Sequence, residues 1–221
     1  MRKILALFIC MMLIGIVGIN TIYAASCDIL VNSLPENERI SFLKSIEWRP
    51  VDDSYRNSIV GFDVTECGIY ALAVNGDAVY VYDQSHELVY GYGFRSDGDF
   101  GISFQGENLA IYFLRGSTIV ILDCSGNCID VQKPIDSIPY ISFMKELLNR
   151  TCKDVGEKTY LLERNANIGN SFSRFVLEEY GERTVLYDVS KEHNIRQILI
   201  LASPICFFTF VIFGISKRNK K

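Results

Sequence analysis

The sequence predicts a mainly β protein of antiparallel, propeller-like blade repeats, each about 40 residues long, between an N-terminal signal or anchor and a C-terminal transmembrane helix. Three observations carry that expectation. Residues 61 to 131 are rich in aromatic and β-branched side chains set in short runs between turn formers. A gapless shift of 40 residues lays one part of this region on the next. Two long stretches near the ends of the chain carry no charged side chain.

The strand runs are Tyr70 to Val74, Val79-Tyr80-Val81-Tyr82, Val89-Tyr90, Ile111-Tyr112-Phe113 and Ile119-Val120-Ile121-Leu122. Asn75-Gly76-Asp77, Asp83-Gln84-Ser85, Arg115-Gly116-Ser117 and the segment Asp123 to Asn127 separate them. Runs of four to six such residues between Gly, Asn and Asp clusters read as antiparallel strands and tight turns. Apolar residues three and four apart, the mark of an amphipathic helix, are missing here.

The shift of 40 places Gly61 on Gly101, Ile69 on Leu109, Gly76 on Gly116, Val79 on Ile119 and Asp83 on Asp123. Ser85 then falls on Ser125 and Val89 on Ile129. The two units are 61–95 and 101–134, and a degenerate third is expected over 159–190, with strands at 159–162, 173–177 and 184–189. Short helices are expected at 35–43 and, after Pro139, at 138–150; a strand containing Trp48 is expected at 45–49.

The unit ending in VYVYDQSHELVYGYGF resembles the blades of NHL-type propellers, in which a strand closes on an acidic residue before a turn. With its apolar ends and the stretch GYGFRSDGDFGISFQGENLAIYFLRG, the chain is similar to an uncharacterised family of bacterial membrane-anchored proteins with propeller-like outer domains. That resemblance covers most of residues 60–190. It implies a fold and a membrane attachment, and no activity. The Gly-His and Trp-Asp signatures of WD40 repeats are missing.

Residues 4 to 27 follow Arg2 and Lys3, carry no charge and end in Ala24-Ala25-Ser26-Cys27. A cleaved secretory signal over 1–26 and an uncleaved anchor both fit, and acylation of Cys27 is a third reading. Residues 197–216 are free of charge and are followed by Lys217-Arg218-Asn219-Lys220-Lys221, a basic stop that assigns residues 217–221 to the cytoplasm. The bilayer is thus an expected partner through residues 197–216. The positive-inside rule then puts residues 28–194 outside the cytoplasm, whichever way the first segment is processed.

That middle region holds all 26 acidic residues and 15 of the 22 Lys and Arg, a net charge of −11. Such a domain lacks the cationic surface that phosphate neutralisation needs, so no nucleic-acid partner is expected.

Few residues carry chemistry. Cys10 and Cys206 lie in the apolar segments, whereas Cys27, Cys67, Cys124, Cys128 and Cys152 face the outside. Cys124 and Cys128 flank a hairpin tip and are a candidate disulfide, with two free thiols as the alternative. Neither these cysteines nor His86 and His193 stand in a zinc or hydrolase motif. Ser96-Asp97-Gly98-Asp99 lacks the downstream glutamate of a calcium loop and reads as a turn. No cofactor, metal ligand or catalytic residue is assigned. The expectation is a non-catalytic binding or envelope-assembly domain whose partner is an envelope protein or a glycan. The alternative is a cell-envelope hydrolase using carboxylates from separate blades.

Overall fold

A computed structural model of the chain describes residues 29–52, 54, 56–164 and 171–191. The expected signal or anchor at 1–26, the span at 197–216 and the tail at 217–221 lie outside the described residues, as do His193, Cys10, Cys27 and Cys206. No helix among the described residues is long and apolar enough to cross a membrane.

The protein is mainly β, with antiparallel sheets. The chain begins with β1 (Val31–Ser33), α1 (Glu36–Ser45) and β2 (Arg49–Pro50). A four-stranded meander follows: β3 (Ile59–Val64), β4 (Tyr70–Val74), β5 (Ala78–Tyr82) and β6 (Leu88–Gly93). A second consists of β7 (Phe100–Gln105), β8 (Asn108–Phe113), β9 (Thr118–Leu122) and β10 (Cys128–Pro134). Helix α2 (Ser137–Asn149) leads to a third: β11 (Cys152–Val155), β12 (Lys158–Glu163), β13 (Arg174–Glu179) and β14 (Glu182–Asp188).

The first meander gains β2 at its outer edge to make sheet I, and the second gains β1 to make sheet II; the third is sheet III. Trp48 sits just before β2 rather than within a strand. The helix runs on to Ser45, and the indole stacks on Tyr92 and Phe94 at 4.5 and 5.7 Å.

Sheets I and II share their irregularities. Opposite β5, the ladder breaks between Leu88 and Tyr90; opposite β9, it breaks between Cys128 and Asp130. Each bulge leaves one apolar residue outside, Val89 or Ile129. Asp83 Oδ1 accepts from Ser85 N and Glu87 N at 2.8 and 3.0 Å, and Asp123 Oδ1 accepts from Ser125 N and Asn127 N at 2.9 and 2.8 Å. These are the same Asx-type turn built twice. At the opposite end of the strands, Gly76 and Gly116 turn with φ of 90° and 84°.

One strand departs from the shift of 40. Tyr82 faces Tyr70, while its equivalent Leu122 faces Leu109. Ile69 is therefore not the counterpart of Leu109. Counted between paired residues, the connection Phe104–Leu109 is one residue shorter than Val64–Tyr70, and Phe113–Thr118 is one longer than Val74–Ala78, so the two changes cancel along the sequence.

The layers stack in the order sheet III, sheet I, sheet II, α2. Sheet III lays Tyr160, Leu162, Phe172, Phe175, Tyr187 and Val189 on Tyr70, Leu72, Tyr80 and Tyr82 of sheet I. The other face of sheet I carries Ala71, Ala73, Val79 and Val81, which meet Phe100, Ile102, Ile111 and Val120 of sheet II. Sheet I is thus buried on both faces, and β4 and β5 are buried at every position. The far face of sheet II takes Tyr140, Met144 and Leu147 of α2, spaced as one helical face. Asp136 caps that helix, accepting from Ile138 N at 2.9 Å. With α2 on this face, the sheets form an open stack among the described residues.

The inner strands β3, β7 and β11 converge on Asp63, which is 1% exposed. Its Oδ2 accepts from Phe104 N and Ser103 Oγ at 2.7 and 3.1 Å. Its Oδ1 accepts from Lys153 Nζ and Arg150 Nη1 at 2.7 and 2.8 Å. One carboxylate so joins sheet I, sheet II and the start of sheet III.

Asp63→Ala leaves two cations and a backbone N–H without their buried partner. The expected loss is about 3–5 kcal/mol, seen as a drop in Tm of roughly 10 °C. Asp63→Asn, which still accepts from Phe104 N, is expected to lose less. Equal Tm values for wild type and Asp63→Ala would show that the sheets hold their places without it.

Acid should loosen the same framework. The Asn127 side chain and backbone hold Asp123 below the usual carboxylate range, with burial opposing and the Ser125 and Gly126 N–H groups adding smaller contributions. Burial opposes ionisation of Asp130, but Ser33, Gln132, the Val131 N–H and Arg39 together lower its pKa. Depressed folded-state values mean that this stability is complete above the unfolded pKa of about 4 and is lost as pH falls through the folded values. Thermal melts are expected to show Tm falling below about pH 4, with a shallower fall in Asp130→Asn. A Tm unchanged down to about pH 2 would refute this.

Candidate functional site

A cleft of about 660 Å³ opens between sheets I and II at the end where the Asp83 and Asp123 turns lie. The β3–β4 turn forms one wall and the β7–β8 turn the other, because β3 and β7 run side by side and end together. Ile69, Val81 and Phe104 make an apolar floor continuous with the core between the two sheets. Glu66 and Glu107 stand on opposite walls, and Cys67, Cys124, Tyr90 and Lys153 complete the lining.

Local hydrogen bonds fix the first wall. Thr65 Oγ1 accepts from Ile69 N at 3.0 Å, and Thr65 N donates to Ile69 O at 2.9 Å, closing a turn around Glu66, Cys67 and Gly68. Cys67 Sγ lies 3.1 Å from Thr65 Oγ1 and is otherwise on the surface.

Tyr90 supports the other side. Its hydroxyl donates to Asp123 O at 3.3 Å, and its ring lies under Gly126. Burial pushes the Tyr90 phenol up, and Asp123, Tyr92 and Cys124 reinforce the shift. It therefore stays a neutral hydrogen-bond donor at physiological pH. Lys153 reaches the cleft from β11, but its ammonium is already bound to Asp63 Oδ1 and Val64 O.

No imidazole lines the cleft; its carboxylates are Glu66, next to Cys67, and Glu107. The two glutamates flank an apolar floor, which suits a ligand with an apolar body and cationic ends. Among the described residues, no group of three His, Cys, Asp or Glu side chains could hold a metal ion.

The residues singled out from sequence fall as follows. Cys124 is exposed on the turn, while Cys128 is half-buried on β10, and both are free thiols in the structure. The register pairs Cys128 with Leu122, not with Cys124, and the Cys128 thiol points to Asp130 O at 3.6 Å. The Asp123 turn is closed by its own hydrogen bonds, with the two thiols beside it. Burial raises the Cys128 pKa, with Arg39 opposing and Asp130 adding to it, which keeps it a thiol. His86 lies in the matching turn of sheet I, its ring 5.8 Å from that of Tyr70. Ser96 donates its N–H to Asp77 Oδ2 at 2.9 Å, and Asp97 pairs with Arg115. This segment is a braced turn at the far end from the cleft.

Sequence reasoning passed over Asp63, Lys153 and the two glutamates. Only Asp63 left a signal, as an acid within the apolar run Phe62-Asp63-Val64.

Gly126 tests how the cleft wall is built. It has φ of 84°, and an added Cβ would sit 2.7 Å from Tyr90 Cγ. Gly126→Ala is expected to cost about 1–3 kcal/mol in a urea melt and to change the alkylation rate of the already exposed Cys124 by displacing Tyr90. Unchanged stability together with an unchanged alkylation rate would show that the turn does not rest on this contact. No protein-family model matches the chain, and neither the curated proteins nor the solved structures hold a match to it.

Proposed function

We propose that this is a membrane-tethered protein whose outer domain, a set of propeller-like blades, binds a partner without catalysing a reaction. The supporting observation is the polarity of the domain. Ile29 and Lys191, where the described domain meets the flanking sequence, lie at one end of the sheets, beside the Pro134 and Asp188 strand ends. The cleft opens at the other end. A tether on the first end leaves the second free.

The partner is an envelope component, and the cleft favours a protein segment over a glycan. Its floor is aliphatic and aromatic, and acidic residues rim it. An apolar side chain flanked by Lys or Arg fits that surface.

One observation favours the rival reading. Glu66 and Glu107 come from different sheets and line one cleft, as an envelope hydrolase would require. Against it, the pocket holds neither an activated nucleophile nor a base poised on one.

Protease added to intact cells is expected to digest residues 28–194 and to spare the basic tail at 217–221. Protection of the domain in sealed cells would overturn the topology. Pull-down from envelope extracts is expected to recover a partner that Glu66→Lys with Glu107→Lys releases. Turnover on a peptide, ester or glycan panel, abolished by Glu66→Gln in a folded variant, would instead establish the hydrolase.

A further inference from the structure

The end of sheet II that carries Ile29 has an apolar patch that the core does not use. Leu30 is 69% exposed, Ile135 61%, Ile138 72% and Ile141 41%. They form one surface. Ile135 N donates to Leu30 O at 2.8 Å, which puts the β10–α2 link against the segment before β1. Ile138 and Ile141 are three residues apart on α2, on the same side of the helix. The residues of α2 that face sheet II are others: Tyr140, Met144 and Leu147.

Two further observations say what covers the patch. The charge-free sequence 197–216 begins six residues after Lys191, at this same end, and an uncleaved 4–27 would end three residues before Leu30, so whatever holds these stretches is brought close to the patch. The domain is also polarised in charge. At the patch end, cations such as Arg56, Arg95, Arg115 and Lys133 mingle with Asp77, Asp97 and Asp136. The turns at the opposite end carry Glu66, Glu87, Glu107, Glu157 and Glu182 against Lys158 and Arg183. An anionic surface repels that end and tolerates the first.

We propose that Leu30, Ile135, Ile138 and Ile141 rest in the headgroup–acyl boundary of the bilayer, so that the domain docks on the membrane in one orientation instead of swinging on its tether. The occupant is lipid. The inference rests on the tethered reading above. A few aliphatic side chains inserted beside a covalent anchor suffice, because each buried apolar group adds to binding and the tether removes the entropic cost of encounter.

The chain has a single tryptophan, which makes a direct test available. In the full-length protein, Trp48→Phe keeps an aromatic ring against Tyr92 and Phe94 and empties the background. Ile138→Trp is then added in one variant and Ile135→Trp in a second. Tyr180→Trp, at an 81% exposed turn on the opposite end, is the control. Each is reconstituted into phosphatidylcholine–phosphatidylglycerol vesicles with and without brominated acyl chains.

An indole seated about 5–10 Å into the boundary is expected to lose roughly half of its emission to bromine, while the control keeps its own. If the protein floats with the vesicles but neither patch position is quenched, docking is refuted and the tether stands. Blue-shifted emission that ignores bromine, with crosslinks between two copies, overturns the proposal in favour of a dimer interface. Failure of the full-length chain to float with vesicles overturns the tethered reading itself.

Discussion

The arrangement of the three sheets depends on one buried carboxylate. Asp63 sits where β3, β7 and β11 meet, and its two oxygens accept from four donors contributed by sheet II, the end of α2 and β11. Burying a charge costs several kcal/mol unless its lone pairs are filled and a countercharge is near. Both conditions hold, with two cations and a backbone N–H within 2.8 Å. Apolar packing brings the sheets together and, being non-directional, leaves more freedom in how they slide than a polar contact does. Asp63 removes that freedom, because its acceptor geometry is satisfied only where Ser103 and Phe104 lie opposite it.

Burial of sheet I on both faces explains which parts of the fold the sequence disclosed. A sheet with one wet face alternates apolar and polar residues, but Tyr70–Val74 and Ala78–Tyr82 have no wet face. They were legible as strands through β-branched and aromatic content, and their alternation survives as large against small. The Tyr70, Leu72, Tyr80 and Tyr82 face fills the wide gap to sheet III, and the Ala71, Ala73, Val79 and Val81 face allows sheet II to come close. The turns were legible because Asp, Gly and Asn at fixed offsets have local reasons to be there. Less local features were not. Strand β2 is two residues long and exists because Gly93 and Tyr92 offer an open edge. Strand β11, Cys152-Lys153-Asp154-Val155, alternates exposed and half-buried positions at the margin of sheet III and has no strong strand composition.

The candidate site was less legible still, for a geometric reason. Asp63 and its partners are separated by 40 to 90 positions along the chain. No motif of fixed spacing can announce such a meeting. The glutamates of the cleft have the same difficulty: Glu66 and Glu107 occupy ordinary turns, and only the parallel course of β3 and β7 makes them neighbours across an apolar floor. The cysteine pair shows how much a turn can hold without a bridge. Cys124 and Cys128 look joined because they flank a tip, yet Asp123 closes that tip through Ser125, Asn127 and Gly126, and the next residue on the strand faces Leu122.

Polarity also bears on the choice between binding and catalysis. A hydrolase needs one group made reactive by its surroundings, a lowered thiol or a raised acid beside a base. Of the groups lining the cleft, Tyr90 has its phenol raised by burial, which makes it less willing to ionise. Lys153, the one cation lining the cleft, is held by Asp63 and Val64 O and has little freedom to act on a ligand. The same bond makes the cleft respond to the framework. Any ligand that draws Lys153 away must weaken the joint between β3 and β11, so binding there and the placing of sheet III are linked through one ammonium group. A surface recognised through its shape and its two glutamates leaves that joint intact, and this is the use of the cleft that costs the fold least.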